Sequence, residues 1–210
     1  MDYQNLQVSR AGAIATVTFN RPDRANALNY DHLSEIEHVA LSFRDDAETR
    51  AVIFTGAGKH FSSGADLTDP GRAYGGPLVL RRRKSRMGER AINALYEMDQ
   101  ITIAAWNGAA MGGGACITTA LDFRIGADDC FMQYPEIDIG VNLMWKSLPL
   151  VTHLAGPARA KQLVAGGVRT HAETLLDWGI LDQLVPRAEL LSAAQTMAEF
   201  YAGKPPIAAQ

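Results

Sequence analysis

Two small-residue segments, each following an apolar run, hold the residues best placed for chemistry. The first reads Ile101-Thr102-Ile103-Ala104-Ala105-Trp106-Asn107-Gly108-Ala109-Ala110-Met111-Gly112-Gly113-Gly114-Ala115-Cys116, which is the order strand, glycine run, helix. Free N–H groups at a helix start point outward, and the helix dipole adds positive potential there. Glycines let a ligand reach the backbone without a Cβ in the way. Such a place favours negative charge developing on an oxygen. Small residues here would equally serve the close packing of a helix on a strand, so both readings stand at this point. The run is neither G-x-G-x-x-G nor G-x-x-x-x-G-K-[ST], which argues against a nucleotide loop. The second segment, Phe61-Ser62-Ser63-Gly64-Ala65-Asp66-Leu67, is another bend able to present backbone N–H groups; alone it is an ordinary loop.

Other candidate groups are sparse. Glu136 follows Pro135, where a glutamate on its own reads as a loop charge. Cys116 and Cys130 form no disulfide scaffold and lack metal-site spacing, so no metal is expected. A small thiol on a buried helix face is packing more often than a nucleophile. The basic run Arg81-Arg82-Arg83-Lys84 reads first as a solvated helix face, extended by Arg86 and Arg90 and interrupted by Glu89. A net charge of −3 gives no support for nucleic acid or an anionic membrane as partner.

The elements that must position these groups follow from periodicity. The chain has 210 residues, 47% apolar and 20% charged, which suits one globular domain with a real core. Residues 13–19 alternate as a strand and 20–23 break it as a turn. Leu33, Ile36, Val39, Ala40 and Phe43 give a helix over 28–43, with Asn29 or Asp31 as N-cap. Residues 51–55 and 101–106 read as buried strands, 78–98 as one helix, 115–121 as a small-residue helix, and 122–127 and 130–134 as short strands. Residues 69–77, with two prolines and three glycines, should be mobile. The rest is mostly helical, with a late strand at 181–185. Strands alternating with helices predict the α/β class. The N-terminus lacks a secretory pattern and no apolar run reaches membrane-span length, so a cytoplasmic protein is expected.

Taken together, the segments resemble the enoyl-CoA hydratase/isomerase (crotonase) family. The likeness runs from N-R-P-D-R-A-N-A-L-N at Asn20, through F-S-S-G-A-D-L at Phe61 and W-N-G-A-A-M-G-G-G at Trp106, to Y-P-E-I-D-I-G at Tyr134 and W-G-I-L-D-Q-L-V-P at Trp178. The resemblance implies a crotonase-like spiral of repeated ββα units. It implies an acyl-CoA core over residues 1–186 and a C-terminal helical segment over 187–210 that is shortened relative to the family. By the same resemblance, the N–H groups of Ala65 and Gly113 would form an oxyanion hole for a thioester enolate. Arg24, Ala25, Ala27, Ala65, Asp66, Leu67 and Gly112 would line the coenzyme A path, with coenzyme A part of the substrate and no separate cofactor. Homotrimers or hexamers are the family's habit.

The family's hydratases use two glutamates. One falls on Glu136; the other falls on Cys116 and is absent. Moving a double bond from the 3,4 to the 2,3 position needs a single base, so an isomerase with Glu136 as base is the leading expectation. A hydratase would need another acid/base group, for which Asp138 and His153 are candidates by residue type alone. An inactive acyl-CoA-binding or assembly subunit is the third expectation, since fold does not fix function. Bulky Met144 and Trp145 stand where the family has small residues, which implies a reshaped acyl pocket; the absence of an aspartate at 144 speaks against dehalogenase and dienoyl-isomerase chemistry.

Overall fold

The computed structural model describes residues 2–70 and 76–209. Five strands of the larger sheet run β1 (Leu6–Ala11), β2 (Ile14–Phe19), β3 (Ala51–Gly56), β4 (Ile101–Trp106) and β6 (Phe123–Ala127). With β9 (Gln183–Val185) they make a six-stranded sheet in the order β1-β2-β3-β4-β6-β9. Only the β1–β2 hairpin is antiparallel. In a second sheet β7 (Phe131–Gln133) lies between β5 (Ala109–Met111), parallel to it, and β8 (Thr170–His171), antiparallel.

The two sheets are threaded as a spiral. Each turn of chain lays one strand in the large sheet, steps to the small one and returns through helix. Thus β4 leads to β5 and then α4 (Gly113–Ala120), and β6 leads to β7 and then α5 (Ser147–Ala155). The turn after β3 does the same with a single bridge, Ser62 to Ala110. The repeated ββα unit implied by the family resemblance is therefore the unit of the fold.

Alternation along the central strands divides the core. Val52, Phe54, Ala104 and Trp106 face α1 (Tyr30–Ser42), α3 (Met87–Tyr96) and α4. Ile53, Ile103, Ala105 and Ile125 face Leu190, Ala194 and Ala198 of α8 (Leu190–Ala202). Both faces of β3 are dry, as suits a parallel strand covered by helices on each side. Asn29 caps α1 by accepting the His32 N–H at 2.8 Å.

The differences from expectation have local causes. β1 carries mostly exposed side chains at a sheet edge and so shows no alternation, while β5 and β8 are too short to have a period. The single helix expected over 78–98 is two, α2 (Leu78–Ser85) and α3, because Arg86 leaves helical geometry at φ −92° and ψ 3°. The helix after the glycine run begins at Gly113 rather than Ala115, which makes two of the glycines its first turn. The remaining helices are α6 (Pro157–Gly166), α7 (Ala172–Asp177) and α9 (Pro206–Ala209). Within the 69–77 stretch, residues 71–75 lie outside the described residues. Among the described residues no helix is long and apolar enough to cross a membrane.

Candidate active site

The Phe61–Leu67 bend is held from below by polar groups that the core would otherwise leave unpaired. The buried Ser62 hydroxyl donates to the Asn26 carbonyl at 2.8 Å and accepts the Gly64 N–H at 3.2 Å. The Ser63 N–H donates to the Ala25 carbonyl at 2.9 Å. The Leu28 N–H reaches the Gly64 carbonyl at 2.8 Å, and the Asp66 N–H returns to the Leu28 carbonyl at 3.0 Å. This exchange clamps the bend to the loop before α1 and skips Ala65. Among the described residues no protein group accepts the Ala65 N–H.

The same bend lies against the start of α4. A Cβ on Gly64 would sit 2.6 Å from the Met111 carbonyl oxygen and 3.3 Å from the Gly113 nitrogen, so the two backbones touch. Gly112, at φ +46°, turns the chain into the helix in a conformation that L side chains rarely adopt. Its own N–H is spent on the Gln133 carbonyl, at 2.9 Å. The Gly113 N–H, at the first position of the helix, donates to no protein group, as the geometry of helix starts requires.

Beside these two N–H groups is a cavity of about 110 Å³ lined by Ala65, Asp66, Gly113, Glu136, Met144 and Trp145. Cys116 lines it too. Glu136 enters from the 3₁₀ turn Pro135–Ile139, and its Oε1 is 2.8 Å from where a Gly112 Cβ would be. Its Oε2 is buried without a hydrogen-bond partner. Burial pushes the Glu136 carboxyl above its ordinary value. A carboxylate so placed is a better base than a solvated one. Asp66, by contrast, is engaged: Arg21 reaches it with both terminal nitrogens at 3.1 Å, and the Thr68 hydroxyl donates at 2.7 Å. Burial pushes the Asp66 carboxyl up, but the bonds from Thr68 and Arg21 outweigh it and leave the group below its ordinary value. Asp69, also on the cavity wall, accepts the Tyr30 N–H at 3.0 Å.

Cys116 holds the position that the family resemblance assigns to a second glutamate, and it lines the cavity. Its thiol is pushed up to about 12, mainly by burial, and so stays protonated. It borders a buried hydroxyl cluster in which Ser147 meets Tyr134 at 3.0 Å and Thr119 at 3.3 Å. Neither Asp138 nor His153 lines the cavity. Asp138 is exposed and lies toward Gly167, and His153 lines a separate groove with Tyr96 and Arg124.

The remaining expected residues are placed less centrally. Arg24 and Leu67 are exposed near the bend, and Ala25 and Ala27 lie on the loop that clamps it. Leu28 just before α1, and Tyr30 and Leu33 within it, line the cavity, as do Val141, Asn142 and Leu143 from the stretch that also carries Met144 and Trp145. Arg21 of the N-R-P-D-R motif is the partner of Asp66 in the F-S-S-G-A-D-L motif, a pairing that neither motif signals by itself.

Two backbone donors without acceptors and one carboxylate with an unpartnered oxygen thus meet at one small cavity. A family model for enoyl-CoA hydratase/isomerase matches residues 9–210, and the chain belongs to that family. The chain is 32% identical over 209 residues to the short-chain-enoyl-CoA hydratase of Clostridium acetobutylicum, covering 99% of this chain and 79% of that protein. It is 33% identical over 206 residues to the carnitinyl-CoA dehydratase of Escherichia coli K12, covering 98% and 77%. Among solved structures, the enoyl-CoA hydratase of Bacillus anthracis superposes with a TM-score of 0.91 at 32% identity, over 98% of this chain and 80% of that one. Pseudomonas aeruginosa DspI gives 0.92 at 32% identity, over 100% and 79%.

Proposed function

We propose that this chain shifts the double bond of an enoyl-CoA thioester from the 3,4 to the 2,3 position, with Glu136 as its one base. The observation that carries the reading is the buried, unpartnered Oε2 of Glu136, alongside a cavity in which Asp66 is tied to Arg21 and Thr68 and Cys116 is a neutral thiol. In the first step Glu136 takes a proton from C2, and the C–H electron pair moves into the thioester to give an enolate oxygen. The N–H groups of Ala65 and Gly113 hold that oxygen, each worth about 3 kcal/mol of transition-state stabilisation. In the second step the same carboxyl returns the proton to C4, and the 2,3 double bond forms. Coenzyme A enters as part of the substrate, with its path along Arg24, Ala25, Ala27 and Leu67. Assembly as trimers or hexamers in a cytoplasmic setting extends the same family reading, and analytical ultracentrifugation tests the assembly.

The second reading is hydration or dehydration, favoured by the hydratase and dehydratase names of the relatives above. It asks Glu136 alone to orient the water and deliver the proton. Supplying 3-enoyl-CoA and 2-enoyl-CoA in parallel separates the two. Isomerisation predicts turnover of the first and little 3-hydroxyacyl product from the second; the reverse pattern removes the isomerase reading.

A further inference from the structure

We infer that Trp145 is the acyl-length stop of this site and restricts it to short acyl groups. The inference rests on the acyl-CoA reading above but not on which reaction follows. The indole is wedged between two helices at glycines. A Cβ on Gly113 of α4 would lie 2.1 Å from its Cζ3, and a Cβ on Gly88 of α3 would lie 1.9 Å from its Cε2. Gly88 is the second residue of α3. The space it leaves is filled by the ring.

The backbone beneath the ring is equally specific. Trp145 and Lys146 take φ +59° and +56°, a left-handed pair that non-glycine residues seldom adopt. Such a conformation persists only where its surroundings hold it. Here Ser147 is fully buried on one side, and the Lys146 ammonium is 3.6 Å from Glu89 Oε1 on α3. The ring is therefore fixed against the very glycine whose N–H is free for a thioester oxygen. An acyl chain that extends from that carbonyl into the cavity meets the indole as one of its walls. The cavity volume, about 110 Å³, is less than the ~150 Å³ that admits a benzene ring, too little to take in a long acyl chain.

The test is calorimetric titration of the full chain with butyryl-CoA and decanoyl-CoA, paired with rates on 2-enoyl and 3-enoyl thioesters of the same lengths. The unaltered chain is expected to bind butyryl-CoA at least about tenfold more tightly than decanoyl-CoA, because the longer chain meets the indole and must fold back or draw the thioester away from the two N–H groups. Trp145→Ala is expected to erase or reverse that ratio, and Trp145→Phe to fall between. An unaltered chain that takes both ligands equally well overturns the inference, and so does a folded Trp145→Ala that keeps the original ratio. Should Trp145→Ala not fold, Trp145→Phe decides alone: an intermediate ratio supports the stop, an unchanged ratio defeats it. Length discrimination in binding without turnover on either thioester sinks the proposed reaction and leaves the stop standing. Equal turnover at all lengths does the opposite.

Discussion

Residues 62–68 and residues 135–146 both wall the cavity, yet they are held in place differently. The first segment is fastened to its neighbours by hydrogen bonds reaching far along the chain, from Ser62 to Asn26, Ser63 to Ala25 and Asp66 to Arg21. The second bonds mainly to itself, as in Val141 N–H to the Glu136 carbonyl at 2.9 Å, and exposes Ile137, Ile139, Val141 and Met144. Its fixed point is one indole ring and one ion pair, Lys146 with Glu89. Fixed donors belong on the first kind of support, because an oxyanion contact tolerates little displacement. Shape for a variable acyl group suits the second, where replacing a side chain disturbs few hydrogen bonds.

The largest expected effect tests the one reactive group on the second segment. Glu136→Gln should lower kcat by roughly 10²–10⁴-fold with acyl-CoA binding retained, read by steady-state kinetics and titration. In the unaltered enzyme, activity should rise with pH through the Glu136 pKa, with an acid limb above the ordinary carboxylate range, because only the carboxylate is a base. Stability runs the other way. A folded-state pKa raised by burial stabilises the fold fully below the unfolded pKa, and that contribution is lost as pH rises through the folded value. Glu136→Gln should therefore raise the Tm at pH 7 and leave it nearly unchanged in acid.

The next effect strikes beneath the first segment. His32 is buried, stacked edge-on against Phe19, with its Nδ1 3.4 Å from the Ala27 carbonyl. Burial lowers its pKa to about 4. The unfolded imidazole takes its proton near pH 6.5, so stability is full above that value and falls as pH drops toward 4, by on the order of 3 kcal/mol. Denaturation across that window should show the slope, and His32→Leu should flatten it.

Smaller still is Asp66→Asn, which strips the charge from a pair with Arg21 that is mostly buried. It should cost about 2 kcal/mol, read by urea denaturation. Met144→Ala on the second segment should stay within about 0.5 kcal/mol, since that side chain is 56% exposed. Comparable losses at both positions would dissolve the contrast between the segments.

Much of this was legible in sequence, for reasons that differ by element. The central strands and α1 announce themselves because their burial pattern repeats over enough residues to have a period. Ala65, Gly113 and Glu136 could be placed because they sit in motifs that resemble a family, and the structure brings all three to one cavity. The break at Arg86 does not fall on a glycine or proline, although Gly88 follows two residues on. The long-range partners Arg21 to Asp66 and Trp145 to Gly88 left no trace in local periodicity, since each is a meeting of segments dozens of residues apart. Gly88 did carry a signal: a glycine inside a helical pattern usually has a packing reason.

That glycine also limits how the sequence can change over generations. While the indole of Trp145 occupies its place, any side chain at position 88 or 113 collides with the ring. The ring must go first, and only then is an alanine at 88 admissible. Once alanine is there, restoring tryptophan at 145 becomes the forbidden step. The three positions thus act as a ratchet, and the order of substitutions among descendants of this sequence should run in one direction.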